Sequence, residues 1–213
     1  MASGAGVVGL GGYTSIVTAA GRDVIEDVVR VTTGNALTAA CALHQVRTRV
    51  CSQPVGRRHI AVVGAVGNIG TVMAELLAPL ADSLILLGSP GSESRLHRLK
   101  RRLDDHAPVR VSTDLAALAD ADVVLSATNA VTPIIGPEHL AADRPVTLCD
   151  LAVPGDLHPG IDGAAGVTVL TGGRILLPPG QRAAIPASGL PGGDHLAGFR
   201  TRSAQLLVRV ADR

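Results

Sequence analysis

An α/β fold with a doubly wound, mostly parallel sheet is predicted by three features of the sequence. Short apolar runs alternate with helical patterns from Arg58 to Leu170, a rhythm that pairs strands in parallel through right-handed crossovers. Hydrophobic residues make up 46% of the 213-residue chain, and Tyr13 and Phe199 are its only aromatic residues. The core is therefore built from Val, Leu, Ile and Ala, a composition suited to a sheet buried on both faces. The third feature is a glycine-rich turn, Gly64–Gly70, set between a strand and a helix.

The elements follow in order. A short apolar run at Val7–Val8 leads into Gly9–Gly12. Leu37, Cys41, Leu43, Val46 and Val50 recur at helical spacing and predict a helix from about Asn35 to Val50. Ser52–Arg58 links this helix to the next unit. Strands are then predicted at His59–Val63, Ser83–Leu87, Val109–Val111, Asp122–Ser126, Pro145–Cys149 and Val167–Leu170. Helices are predicted at Asn68–Leu80 and Ser94–Leu103, with a helical turn or two at Leu115–Ala119. A Pro/Gly loop, Leu177–Gly193, precedes a terminal helix, His195–Val210. Three segments result: 1–57 with a Gly-rich loop and helix, 58–175 as a dinucleotide-binding domain, and 176–213 as a loop and C-terminal helix. The outer two contribute helices that flank the sheet.

Charge and cysteine content exclude several function classes. With 19 basic and 18 acidic residues the net charge is +1, which gives no electrostatic case for a nucleic acid or membrane partner. Cys41, Cys51 and Cys149 form no CxxC pair or Cys/His cluster, so neither a disulfide framework nor a metal site is expected. The N-terminus lacks the basic start and long apolar run of a signal peptide, and no apolar stretch reaches membrane-spanning length. A cytoplasmic protein is expected.

The turn reads Gly64-Ala65-Val66-Gly67-Asn68-Ile69-Gly70 directly after His59–Val63. Glycine bends the chain sharply and lets its amides approach a pyrophosphate, and the third glycine lets helix and strand pack closely. The helix N-terminus supplies free N–H groups to the anion. A Rossmann-like cofactor domain is the expected result, with Gly64, Val66, Gly67, Asn68, Ile69 and Gly70 at the phosphates. Where NAD enzymes place an acid on the ribose, the second strand ends Leu87-Gly88-Ser89-Pro90-Gly91-Ser92, with no carboxylate before Glu93. Ser89, Ser92 and Arg95 are available instead for a 2′-phosphate, with Lys100 and Arg101 further along, so NADP is the expected cofactor. The other reading of Arg95–Arg102 is a solvated basic face. Ala127 and Thr128, at the end of the fourth strand, and Asp150, ending the fifth, lie on the rim where ligands bind in this topology.

Two segments ahead of the turn, Gly9-Leu10-Gly11-Gly12-Tyr13-Thr14-Ser15-Ile16-Val17 and Val31-Thr32-Thr33-Gly34-Asn35-Ala36-Leu37-Thr38-Ala39, closely resemble the long-chain acyl-[acyl carrier protein] reductases of cyanobacteria. The resemblance runs from Gly9 to about Gly173. Asp150-Leu151-Ala152-Val153-Pro154 looks instead like the glutamyl-tRNA reductases. Both resemblances imply an aldehyde-forming reaction on an acyl thioester with NADPH. Two departures qualify this. The acyl reductases carry a further domain ahead of the first segment, where this chain has residues 1–8. They also attack the thioester with a cysteine in a C-terminal helix; the best-matching stretch here, Leu196-Ala197-Gly198-Phe199-Arg200, puts Gly198 at that place. Glycine forms no acyl-enzyme.

Four residues are candidates for catalysis. Tyr13 can donate a proton to a developing alkoxide or amine, or serve as a rim aromatic. Ser15 follows the same glycine run, where the backbone presses close to a ligand. Asn35 can orient a substrate carbonyl or cap its helix. His195, beginning the last helix, is the general acid candidate. Cys149 reads as a buried strand cysteine, because neighbouring Asp150 raises rather than lowers its thiol. The expected function is an NADPH-dependent oxidoreductase acting on a carbonyl, imine or acyl group, the substrate being a small molecule or bound to a carrier protein. A homo-oligomer is expected, since a missing domain exposes apolar surface. The alternative is a non-redox cyclase, isomerase or binding subunit that keeps the cofactor fold.

Overall fold

The computed structural model describes residues 7–10, 30–54 and 58–171. The described residues up to Ala40 and those from Cys41 onward belong to two compact units.

In the first unit β1 (Val7–Leu10) and β2 (Arg30–Thr33) pair in parallel, Val7 opposite Arg30 and Leu10 opposite Thr33. The β2 strand was not expected. Its four residues are too few to show a period, although Val31, Thr32 and Thr33 are β-formers. Helix α1 (Gly34–Ser52) follows at once, so Asn35 lies inside its first turn rather than ahead of it. Within the second unit α1 buries Ala42, Val46 and Val50 completely, a stripe at i, i+4 and i+8. Cys41 and Leu43, expected on that face, are only half-buried.

The second unit holds six parallel strands. They are β3 (His59–Val63), β4 (Ser83–Leu87), β5 (Val109–Ser112), β6 (Val123–Ser126), β7 (Val146–Asp150) and β8 (Val167–Thr171), in the order β5-β4-β3-β6-β7-β8. This is the doubly wound, Rossmann-like α/β fold predicted from the sequence. The order reverses between β3 and β6, the point beyond whose carboxyl ends ligands bind in this topology. The register brings Val63 level with Leu87 on one side and Ser126 on the other.

Helix α2 (Asn68–Leu77) packs on β3, and α3 (Glu93–Leu103) on β4 and β5. The expected helix to Leu80 ends its α-helical part at Leu77 and finishes as a 3-10 turn, Ala78–Leu80. Pro79 explains the change, since it has no amide to donate to the next carbonyl of the helical ladder. Residues alternate along each strand. Ala61, Val63, Ile85, Leu87, Val124 and Leu148 form one aliphatic cluster, closed by Leu118, Ile135 and Ile161 from the connections. The intervening Ile60, Val62, Leu84, Leu86, Val123 and Leu125 are all buried as well. No aromatic side chain is found among the buried residues described.

Candidate functional site

The turn after β3 is closed from both sides. Gly64 has φ +76°, a conformation that glycine adopts without strain. A Cβ at Gly64 would stand 2.6 Å from the carbonyl oxygen of Ala127, and one at Gly70 would collide with the carbonyl of Gly64. Glycine is therefore demanded by the approach of β6 and of α2 to the turn. The Ala65 amide donates to Leu87 O at 2.9 Å, the Gly67 amide to Gly64 O at 2.9 Å, and Thr71 Oγ1 to Ala65 O at 2.9 Å. These bonds fix the entry of α2. Gly67 and Asn68 are exposed at its mouth, with Val66 and Ile69 half-buried beside them. The first amides of a helix have no intrahelical partner and carry its positive end. A glycine turn opening a helix in this way is of the kind that can cradle an anion.

The corner beyond β4 is arranged differently from the sequence expectation. Ser89 and Arg95 are exposed there. Ser92 is turned inward: it is 1% exposed, and its hydroxyl donates to Ser89 O at 2.6 Å. It braces the turn into α3 and is not free to hold a phosphate. Lys100 is likewise committed, donating to Asp104 Oδ1 and to Val109 O, both at 2.7 Å. The Glu93 carboxylate accepts from the Gly91 amide at 3.1 Å, and backbone bonds of this kind hold it below the usual carboxylate range.

The opposite rim, where the sequence places Asp150, carries a buried acidic network whose second member, Asp156, the sequence did not reveal. Asp156 is fully buried. It accepts from Ser126 Oγ at 2.5 Å, from Thr128 Oγ1 at 2.6 Å and from the Thr128 amide at 3.3 Å. Its own amide donates to Asp150 Oδ2 at 2.9 Å, and the Ala152 amide donates to Asp150 Oδ1 at 3.0 Å. Burial raises Asp150 above the ordinary carboxylate range and the Asp156 charge adds to this, against the pull of the amides of Ala152, Asp156 and Leu157. Ala127 and Thr128 are half-buried at the exit of β6. Nothing in the pattern marked Asp156, which stands in a loop with no period.

Tyr13, Ser15 and His195 lie outside the described residues, as do Gly198 and the predicted helix around it. Asn35 is half-buried in the first turn of α1, in the other unit. Cys149 is buried, and burial with the adjacent Asp150 charge pushes its thiol up to about 12. A cavity of 470 Å³ opens at the other ends of the strands, lined by His59, Ser83, Arg110, Asp120 and Arg144. Its charges are already matched. Arg110 meets Asp120 at 2.5 Å, and Arg144 meets Ala119 O at 2.6 Å and Asp122 at 3.5 Å.

A family model described as shikimate / quinate 5-dehydrogenase matches residues 48–171. The chain belongs to the shikimate / quinate 5-dehydrogenase family. The match runs from the last turn of α1 through β8, so the glycine cradle and the acidic rim both fall inside the family segment. An aminotransferase, PigE, from Serratia is 31% identical over 166 residues, 73% of this chain and 18% of its own length. A glutamyl-tRNA reductase from Desulfitobacterium hafniense is 34% identical over 119 residues, 53% of this chain and 26% of its own length. The chain thus spans about a quarter or less of these curated relatives. Among solved structures, glutamyl-tRNA reductase from Methanopyrus kandleri superposes with a TM-score of 0.52 at 21% identity. That likeness covers 82% of this chain and 43% of the other, and it concerns the fold.

Proposed function

We propose that this chain is an NADPH-dependent oxidoreductase module related to the acyl-thioester reductases, acting on a carbonyl, an imine or a carrier-bound acyl group. The observation that carries the reading is the turn at Gly64–Gly70, where glycines are demanded by contacts with Ala127 and Gly64 and where Gly67 and Asn68, at the start of α2, are exposed. The cradle fits a pyrophosphate. The corner past β4 supports the 2′-phosphate: Ser89 and Arg95 are exposed there, and no carboxylate stands between Leu87 and Ser92. Gly64, Val66, Gly67, Asn68, Ile69 and Gly70 would hold the phosphates, and Ala127 and Thr128 would border the nicotinamide end. When bound, the reduced nicotinamide supplies hydride. Membership of a dehydrogenase family and the match to a glutamyl-tRNA reductase support the redox reading over a non-redox one.

Calorimetric titration with NADPH and NADH tests this. NADPH is expected to bind more tightly, and Arg95→Ala to weaken it about tenfold while leaving NADH nearly unchanged, the scale of a lost charge-assisted contact. Binding of neither nucleotide defeats the oxidoreductase reading. Equal losses for both nucleotides in Arg95→Ala defeat the 2′-phosphate assignment.

A further inference from the structure

We propose that Asp156 is a positioning residue for the nicotinamide half of the cofactor, holding the exit of β6 in the shape against which that half lies. The inference rests on the cofactor reading above and adds to it a residue that touches neither cofactor nor substrate. A dinucleotide straddles the point where strand order reverses, its adenosine half on the side of the first βα turn and its nicotinamide half on the other. In this sheet the nicotinamide half belongs over β6 and β7.

A carboxylate withdrawn from water persists where hydrogen bonds replace its hydration. Three donors serve Asp156, and all three come from the β6 exit: Ser126 Oγ at 2.5 Å, Thr128 Oγ1 at 2.6 Å and the Thr128 amide at 3.3 Å. Thr128 Oγ1 passes the constraint on by accepting the Ala130 amide at 3.1 Å. The main chain of Asp156 ties in the surroundings. Its amide donates to Asp150 at the end of β7 (2.9 Å), and its carbonyl accepts from Ile134 at 2.8 Å and Ile135 at 2.9 Å. Gly155 must be small for this, since a Cβ there would stand 2.9 Å from Asp150 Oδ2. Between Ser126 and Thr128 sits Ala127, whose carbonyl closes the Gly64 turn. One buried side chain thus sets the height of the rim beside the phosphate cradle.

The test compares NADPH with 2′,5′-ADP, which carries only the adenosine half and its phosphates. Calorimetry on the wild type should detect both; binding of neither overturns the cofactor reading and this inference with it. Asp156→Asn keeps the volume but loses the charge and one acceptor. It is expected to weaken NADPH about tenfold or more, the scale of hydrogen bonds to a charged group, and 2′,5′-ADP by less than about twofold. Equal weakening of both ligands, or of neither, overturns the proposal while leaving the wild-type cofactor reading intact. If circular dichroism shows Asp156→Asn unfolded, Thr128→Val and Thr128→Ser take its place. Loss of NADPH affinity in the first and recovery in the second supports the proposal, and wild-type affinity in both overturns it.

Discussion

Cys149 shows how a neighbourhood decides what one side chain can do. It sits one residue from Asp150 in a fully buried strand, and with its thiol pushed up to about 12 it has no thiolate to offer near neutral pH. A covalent thioester step at this position is disfavoured by that chemistry. Cys51, by contrast, is exposed near the end of α1. Iodoacetamide at mildly alkaline pH is expected to modify Cys51 in the folded protein and Cys149 only after denaturant is added; early labelling of Cys149, read by peptide mass spectrometry, would contradict this. The behaviour of Cys149 was legible because it ends an apolar strand, which buries it, and because Asp150 is its sequence neighbour. Asp156 was not legible, because its partners Ser126 and Thr128 lie some thirty residues away and only the fold joins them.

At the scale of elements, the βα turn is the best determined and the most demanding. Gly64→Ala would put a side chain at φ +76° and press it against the Ala127 carbonyl. A destabilisation of about 2 kcal/mol or more is expected from the left-handed backbone and the clash together, measured by guanidinium unfolding. An unchanged midpoint would show that the turn relaxes freely. The strands and helices around this turn were readable because apolar runs bounded by turn residues announce themselves. The misreadings have local causes. β2 is too short to carry a pattern, the α-helical part of α2 stops short because of Pro79, and the buried stripe of α1 is shifted because Ala42 is small enough to pack closely. Ser92 looked like a surface serine beside a basic helix, yet the turn it closes folds it inward.

At the scale of the whole molecule, the acidic rim ties stability to pH. Asp150 has its folded value raised, chiefly by burial, so its ionised form is the costly one in the folded state. Its contribution is full below the ordinary carboxylate value of about 4 and is lost as pH rises through the raised value. Asp150→Asn has no charge to develop. The stability of the wild type relative to this variant is therefore expected to fall as pH rises above about 4. Thermal melts across that window would refute the assignment if the wild type gained on the variant instead.

The absence of aromatic side chains from the described core has an optical consequence. The chain has no tryptophan, one tyrosine and one phenylalanine, and the two rings, Tyr13 and Phe199, fall outside the described sheet. The sheet from β3 to β8 is transparent above the peptide bands, with no indole emission of its own. Any absorbance or emission near the nicotinamide band during a titration comes from the nucleotide, free or bound, and none of it from the sheet. The same transparency means that concentration rests on a single phenol, and that unfolding of the sheet must be followed through the backbone.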